Sequence, residues 1–77
     1  MNGIKEITNP KECDHTYPIT LLWADDKGER FITQARWPSS LKEFLKDKNI
    51  AEVGALFFLG QRSSVNTVEA LKMFCND

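Results

Sequence analysis

Cys13, Asp14 and His15 place the only histidine of the chain beside one of its two cysteines. A cysteine becomes a nucleophile when a neighbouring base takes its proton, and cysteine and histidine are common zinc ligands. A zinc site needs three or four protein ligands, and the only other soft ligand here is Cys75. We therefore interpret the segment as a polar loop and expect no metal, no cofactor and no enzyme. A thiol-dependent enzyme using Cys13 and His15 is kept as a lesser hypothesis.

Residues 59–65 could bind an anion, because a strand, a glycine turn and a helix start leave backbone amides pointing outward. The side chains of Arg62, Ser63 and Ser64 would add donors. The spacing matches neither of the glycine-rich nucleotide-binding motifs. We favour a plain strand-to-helix connection and regard these three residues as a weak anion-binding candidate.

The carboxylates at the turn, Asp25, Asp26 and Glu29, are too few and wrongly ordered for a calcium loop. Turn formation by Asp25 and Gly28 explains them.

Residues 17–37 position most of the remaining candidates, since two runs of β-forming residues flank this turn. The spacing predicts a β-hairpin with a three-residue loop, in which Trp23 faces Phe31 and Asp25 faces Glu29. One predicted face is almost wholly apolar and directed to a core: Tyr17, Ile19, Leu21, Trp23, Phe31, Ala35 and Trp37. The other face is mixed: Thr20, Leu22, Arg30, Ile32, Gln34 and Arg36.

The aromatic and basic residues of this hairpin raise the alternative of a stacking platform for single-stranded nucleic acid. Two features favour a core role for the aromatics instead. The predicted register puts the arginines on the opposite face, and large aromatic side chains usually bury their area.

Together with the hairpin, the remaining segments predict one α+β domain over residues 1–77. Residues 1–15 form an edge strand or a loosely held arm. A helix begins at a capping box of Ser40 and Glu43, residues 50–59 favour a strand over a helix, and a last helix begins near Val65 or Asn66. The predicted fold is a three- or four-stranded mixed sheet with two helices on one face.

The composition and net charge of the chain bear on its location and on the class of partner it can bind. The chain has 77 residues, 42% of them hydrophobic, which is enough for one folded domain. Its net charge of −1 gives no electrostatic reason to capture nucleic acid or an anionic membrane. With only two cysteines, no apolar leader and no long apolar run, we expect a cytoplasmic protein with reduced thiols, either a monomer or a weak homodimer.

These observations favour a non-catalytic interaction domain, a small regulator or inhibitor that docks on a protein partner through a sheet face or edge strand. Proteins of this size are common among the accessory genes of phages and mobile elements. The predicted contact residues are Leu22, Arg30, Ile32, Gln34 and Arg36, together with Trp37 if it lies exposed and not in the core. Among them, arginine and tryptophan are enriched at protein interfaces.

Overall fold

A computed structural model describes residues 3–76. It contains five strands: β1 (Ile4–Ile7), β2 (Ile19–Asp25), β3 (Arg30–Ala35), β4 (Ile50–Phe58) and β5 (Gln61–Arg62). Two helices, α1 (Pro38–Leu45) and α2 (Val68–Cys75), follow β3 and β5, and a short 3-10 turn covers Pro10–Glu12. The predicted α+β class is confirmed.

The strands form one sheet in the order β1-β3-β2-β4-β5, and every pairing is antiparallel. The sheet therefore has five strands instead of three or four, and it is not mixed. Strands β3 and β4, which α1 connects, run in the same direction. They do not pair, because β2 lies between them.

The hairpin of β2 and β3 has the predicted register. Trp23 pairs with Phe31, and their rings stack with centroids 4.5 Å apart. Asp25 closes the loop, since its carboxylate accepts from the amides of Lys27 and Glu29. Gly28 has a φ of 82°, the left-handed conformation that glycine adopts without steric cost.

Both helices pack on one face of the sheet, as predicted. Leu41 and Phe44 of α1 and Leu71 of α2 are buried against the sheet. The sheet side of this core is apolar: Ile19, Leu21, Trp23, Ala35, Val53 and Leu56. Thr33 is also buried there, and its hydroxyl accepts a 3.1 Å hydrogen bond from the Trp23 indole. No helix within residues 3–76 is long and apolar enough to span a membrane.

Both helices begin at other residues than predicted. Helix α1 begins at Pro38, whose fixed φ suits the first helical position. The Ser40–Glu43 capping box does not form, and Glu43 pairs instead with Lys46 at 2.6 Å. Helix α2 begins at Val68, because the Thr67 hydroxyl accepts from the Ala70 amide and caps it.

Residues 50–58 form a nine-residue strand, which confirms the strand prediction over the helical alternative. Its register against β2 shifts twice, between Leu22 and Trp23 and between Ala24 and Asp25. Residues 4–7 pair with β3 at the edge of the sheet, which confirms the edge-strand alternative for part of the N-terminal segment.

Candidate functional site

The face of the sheet opposite the helices, here called the open face, carries a continuous apolar row. Paired residues of adjacent strands share a face, and the pairs of four strands align Ile7, Ile32, Leu22 and Ala55. Ile7 is buried, whereas Ile32 and Leu22 keep part of their surface in solvent. None of these four residues belongs to the core that the two helices cover.

The neighbouring rows are polar. One side of the apolar row carries Arg30, Ala24 and Glu52. The other carries Lys5, Gln34, Thr20, Phe57 and Arg62. Charges of both signs therefore flank an apolar centre, the arrangement that protein interfaces show between rim and core.

The segment between β1 and β2 lies over part of the open face. Gln34 holds it there, because its side-chain carbonyl accepts from the Asp14 amide at 2.9 Å and its NH₂ donates to the Asp14 carbonyl at 3.0 Å. Thr20 accepts a third hydrogen bond from the same NH₂ group at 3.0 Å. All the polar groups of the Gln34 side chain are thereby engaged inside the protein.

Asp14 is itself held by local contacts. Thr16 donates to its carboxylate from the hydroxyl at 2.7 Å and from the amide at 2.9 Å, and these bonds lower the pKa of Asp14. The Lys5 ammonium lies 3.9 Å from the same carboxylate and adds a smaller effect in the same direction. A type of Asx turn thus fixes the segment that Gln34 anchors.

Two hollows meet at Leu22 and Ile32, which line both of them. The smaller hollow has a volume of about 420 Å³ and is bounded by Ile7, Arg30 and Glu52. The larger has a volume of about 650 Å³ and lies between the anchored segment and the β4–β5 turn. Its walls include Cys13, His15, Tyr17, Phe57 and Leu59. Together they form a shallow groove across the open face, here called the sheet groove.

The predicted contact residues divide into three groups. Leu22, Arg30 and Ile32 lie together in the sheet groove, as the hairpin register predicts. Gln34 is on the same face and borders the larger hollow, but it is only 2% exposed and offers a partner little surface. The overlying Asp14 segment, which the hairpin pattern cannot indicate, is the reason.

Arg36 and Trp37 lie outside the lining of both hollows. The Arg36 guanidinium lies over the Tyr17 ring, 4.5 Å from its centroid, so Arg36 borders the larger hollow through Tyr17. The placement of Tyr17 in the helix-side core is wrong: Tyr17 precedes β2, which begins at Ile19, and it lines the larger hollow. Trp37 is 57% exposed, and a Cβ on Gly3 would lie 3.2 Å from its ring, which places it near the start of β1.

Cys13 and His15 are both exposed and both line the larger hollow. The Asp14 carboxylate between them is bound to Thr16, so it does not orient the imidazole as a catalytic carboxylate would. Cys75 is the last residue of α2 and belongs to the core on the other face of the sheet. Among the described residues, no three His, Cys, Asp or Glu side chains converge on a metal site.

The geometry on which the anion site of Arg62, Ser63 and Ser64 depended does not form. Arg62 belongs to β5, and the Ser63 amide donates to the Leu56 carbonyl at 2.8 Å. The Ser63 hydroxyl accepts from the Val65 amide at 3.2 Å. Since α2 begins only at Val68, these residues are not at a helix N-terminus.

The stacking platform is likewise divided between two faces. Trp23 is 5% exposed in the core, which confirms the core interpretation for this residue, and Phe31 stacks on it from the same side. Trp23 and Phe31 also border the smaller hollow, whereas Tyr17 and Phe57 line the larger one.

Leu59 is the groove residue that sequence patterns did not indicate. It has a φ of 54°, Gly60 follows with a φ of 80°, and the two form the turn between β4 and β5. Such turns favour Asn or Gly at the first position, so a leucine gives no turn signal. The leucine is 70% exposed, so burial of its side chain offsets little of the cost of this backbone conformation.

The chain was compared with protein families, curated proteins and solved structures. No family model matches the chain, and neither a curated protein nor a solved structure matches it.

Proposed function

We propose that this protein is a non-catalytic interaction domain that binds a protein partner in the sheet groove. One observation carries the proposal. Leu22 and Ile32 lie partly exposed at the centre of a sheet face, at the junction of two hollows, while both helices cover the opposite face. A concave apolar centre of this kind is where binding energy concentrates in protein interfaces.

The surroundings support a protein partner over other ligands. Arg30 and Glu52 bound one hollow, so the rim carries both charge signs and suits a mixed protein surface. The chain's net charge of −1 gives no comparable attraction to nucleic acid. We propose that the protein is a cytoplasmic regulator or inhibitor, and the small size of the domain favours an origin in a phage or mobile element.

The backbone conformation of Leu59 is a second, independent argument for a binding role. A left-handed conformation costs a non-glycine residue about 1–2 kcal/mol, and an exposed leucine returns little of that cost within its own chain. Strained residues that the fold does not need cluster at functional sites. We propose that Leu59 contacts the partner at the rim of the sheet groove.

The test is affinity capture from the native host, followed by measurement of the dissociation constant for the captured protein. L22Q/I32Q should weaken binding by about 30-fold, the effect of losing one interface hot spot of about 2 kcal/mol. M73Q is the matched control, since Met73 is 72% exposed on α2 but lies away from the groove. Equal loss with both variants, with circular dichroism showing both folded, contradicts the proposal.

A variant of Trp37 tests whether the interface extends beyond the sheet groove. If the partner contacts only the sheet groove, W37A should change the dissociation constant less than twofold. A larger loss extends the interface to the start of β1. Recovery of an oligonucleotide in place of a protein, with salt-sensitive mobility shifts, would replace the proposal with nucleic-acid binding.

A further inference from the structure

A separate groove lies on the other side of the molecule, between α1 and α2. Its volume is about 260 Å³. Its floor is formed by apolar side chains and one thiol: Leu45, Ile50, Val68, Leu71 and Cys75. Pockets for drug-sized ligands have volumes of about 300–1,000 Å³, so this groove suits a smaller ligand.

Three lysines border this groove, here called the basic rim: Lys42 and Lys46 on α1 and Lys72 on α2. None of the residues lining the groove is acidic. Lys46 is paired with Glu43, but within the described range Lys42 and Lys72 form no salt bridge. Burial raises the pKa of the Cys75 thiol and the Lys42 ammonium opposes this, which places the Lys42 charge near the floor.

This clustering of positive charge is local, because the chain as a whole has a net charge of −1. Like charges on neighbouring turns repel, and an anion among them relieves that repulsion. The apolar floor adds a second requirement, since a fully hydrated anion would leave it uncovered. The basic rim and the floor together specify a ligand with a charged end and an apolar end.

We propose that the groove between α1 and α2 binds a small anionic amphiphile, a carboxylate with a short alkyl tail. The carboxylate lies among the ammonium groups of the basic rim, and the tail covers the apolar floor. The site is on the opposite side of the sheet from the sheet groove, so it stands whether or not the proposed protein partner exists.

The experiment is a titration of the ¹⁵N-labelled protein, followed by amide chemical shifts at neutral pH. Sodium octanoate should shift the amides of Leu45, Leu71 and Cys75 with a saturating dependence on concentration. Acetate has the charge without the tail, and 1-octanol has the tail without the charge. Each should bind at least tenfold more weakly than octanoate.

Two double variants with the same change in net charge test the basic rim. K42Q/K72Q should weaken octanoate binding by about fivefold, as expected for losing two exposed ion pairs. K11Q/K27Q removes two lysines that do not line the groove and should leave it unchanged. Acetate binding as tightly as octanoate, octanol binding as tightly, equal weakening in both variants, or no shifts at the floor would each overturn the proposal.

Discussion

The side chain of Gln34 is hydrogen-bonded to both backbone polar groups of Asp14, at 2.9 Å to the amide and 3.0 Å to the carbonyl. These residues are 20 positions apart in sequence. The pairing resembles a rung of a β-ladder, made by a side chain instead of a strand. It fixes the wall of the larger hollow and so decides the shape of the sheet groove.

Replacing Gln34 with alanine should release this wall. We expect Q34A to lower the free energy of unfolding by about 1–3 kcal/mol, because buried hydrogen bonds are lost and their partners must find water. Hydrogen exchange of the Asp14 amide should accelerate. T20V is the control, since it removes only the bond to Thr20 and should leave the Asp14 amide protected. Unchanged protection of Asp14 in Q34A would contradict this role.

The Trp23–Thr33 hydrogen bond should matter for stability alone. T33V keeps the shape of the buried side chain but leaves the Trp23 indole without its acceptor. We expect a loss of about 1–3 kcal/mol in chemical denaturation, the cost of an unsatisfied buried donor. T33S keeps the hydroxyl and should keep the indole hydrogen bond, although deletion of the buried methyl group costs about 0.8 kcal/mol. No measurable loss in T33V would mean that the hydrogen bond contributes little.

Substitution at Leu59 should move stability and binding in opposite directions. L59N should raise the free energy of unfolding by about 1 kcal/mol, because asparagine tolerates positive φ better than leucine. The same variant should weaken binding of the captured partner. G60A, in contrast, should destabilise, since Gly60 has a φ of 80°. If L59N leaves partner binding unchanged, Leu59 has no part in the interface.

The anchored segment should loosen in acid. The pKa of Asp14 is lowered in the folded protein, so its carboxylate contributes stability that is complete above the unfolded-state pKa of about 4. That contribution is lost as the pH falls through the lower, folded-state pKa. In an NMR titration T16A should move the pKa of Asp14 upward, because Thr16 donates the bonds that lower it. An unchanged titration in T16A would assign the shift to another group.

The register of β2 and β3 was predictable because its information is local, although the predicted core positions of Tyr17 and Trp37 at the ends of the hairpin were wrong. The turn residues from Asp25 to Gly28 fix the loop length, and the pairing of the aromatic residues Trp23 and Phe31 fixes the face. These two signals agree, so Leu22, Arg30 and Ile32 were correctly placed on one face from sequence.

The rest of the candidate site depends on contacts between distant segments. Nothing near Gln34 in sequence indicates that Asp14 will cover it, and β1 and β5 are too short to show an alternating pattern. Leu59 lacks the residue type by which such turns are recognised. Strand β5 and the groove walls were therefore outside the reach of sequence patterns, whereas β1 was one of two alternatives for the N-terminal segment.

Site-specific photo-crosslinking in the native host tests the central claim most directly. A benzophenone amino acid in place of Arg30 stands in the sheet groove, and one in place of Glu69 stands exposed on α2. We predict a covalent adduct with one partner protein from position 30, absent from position 69 and abolished by L22Q/I32Q. Adducts of equal yield from both positions, or an adduct at position 30 that survives L22Q/I32Q, would contradict binding in the groove.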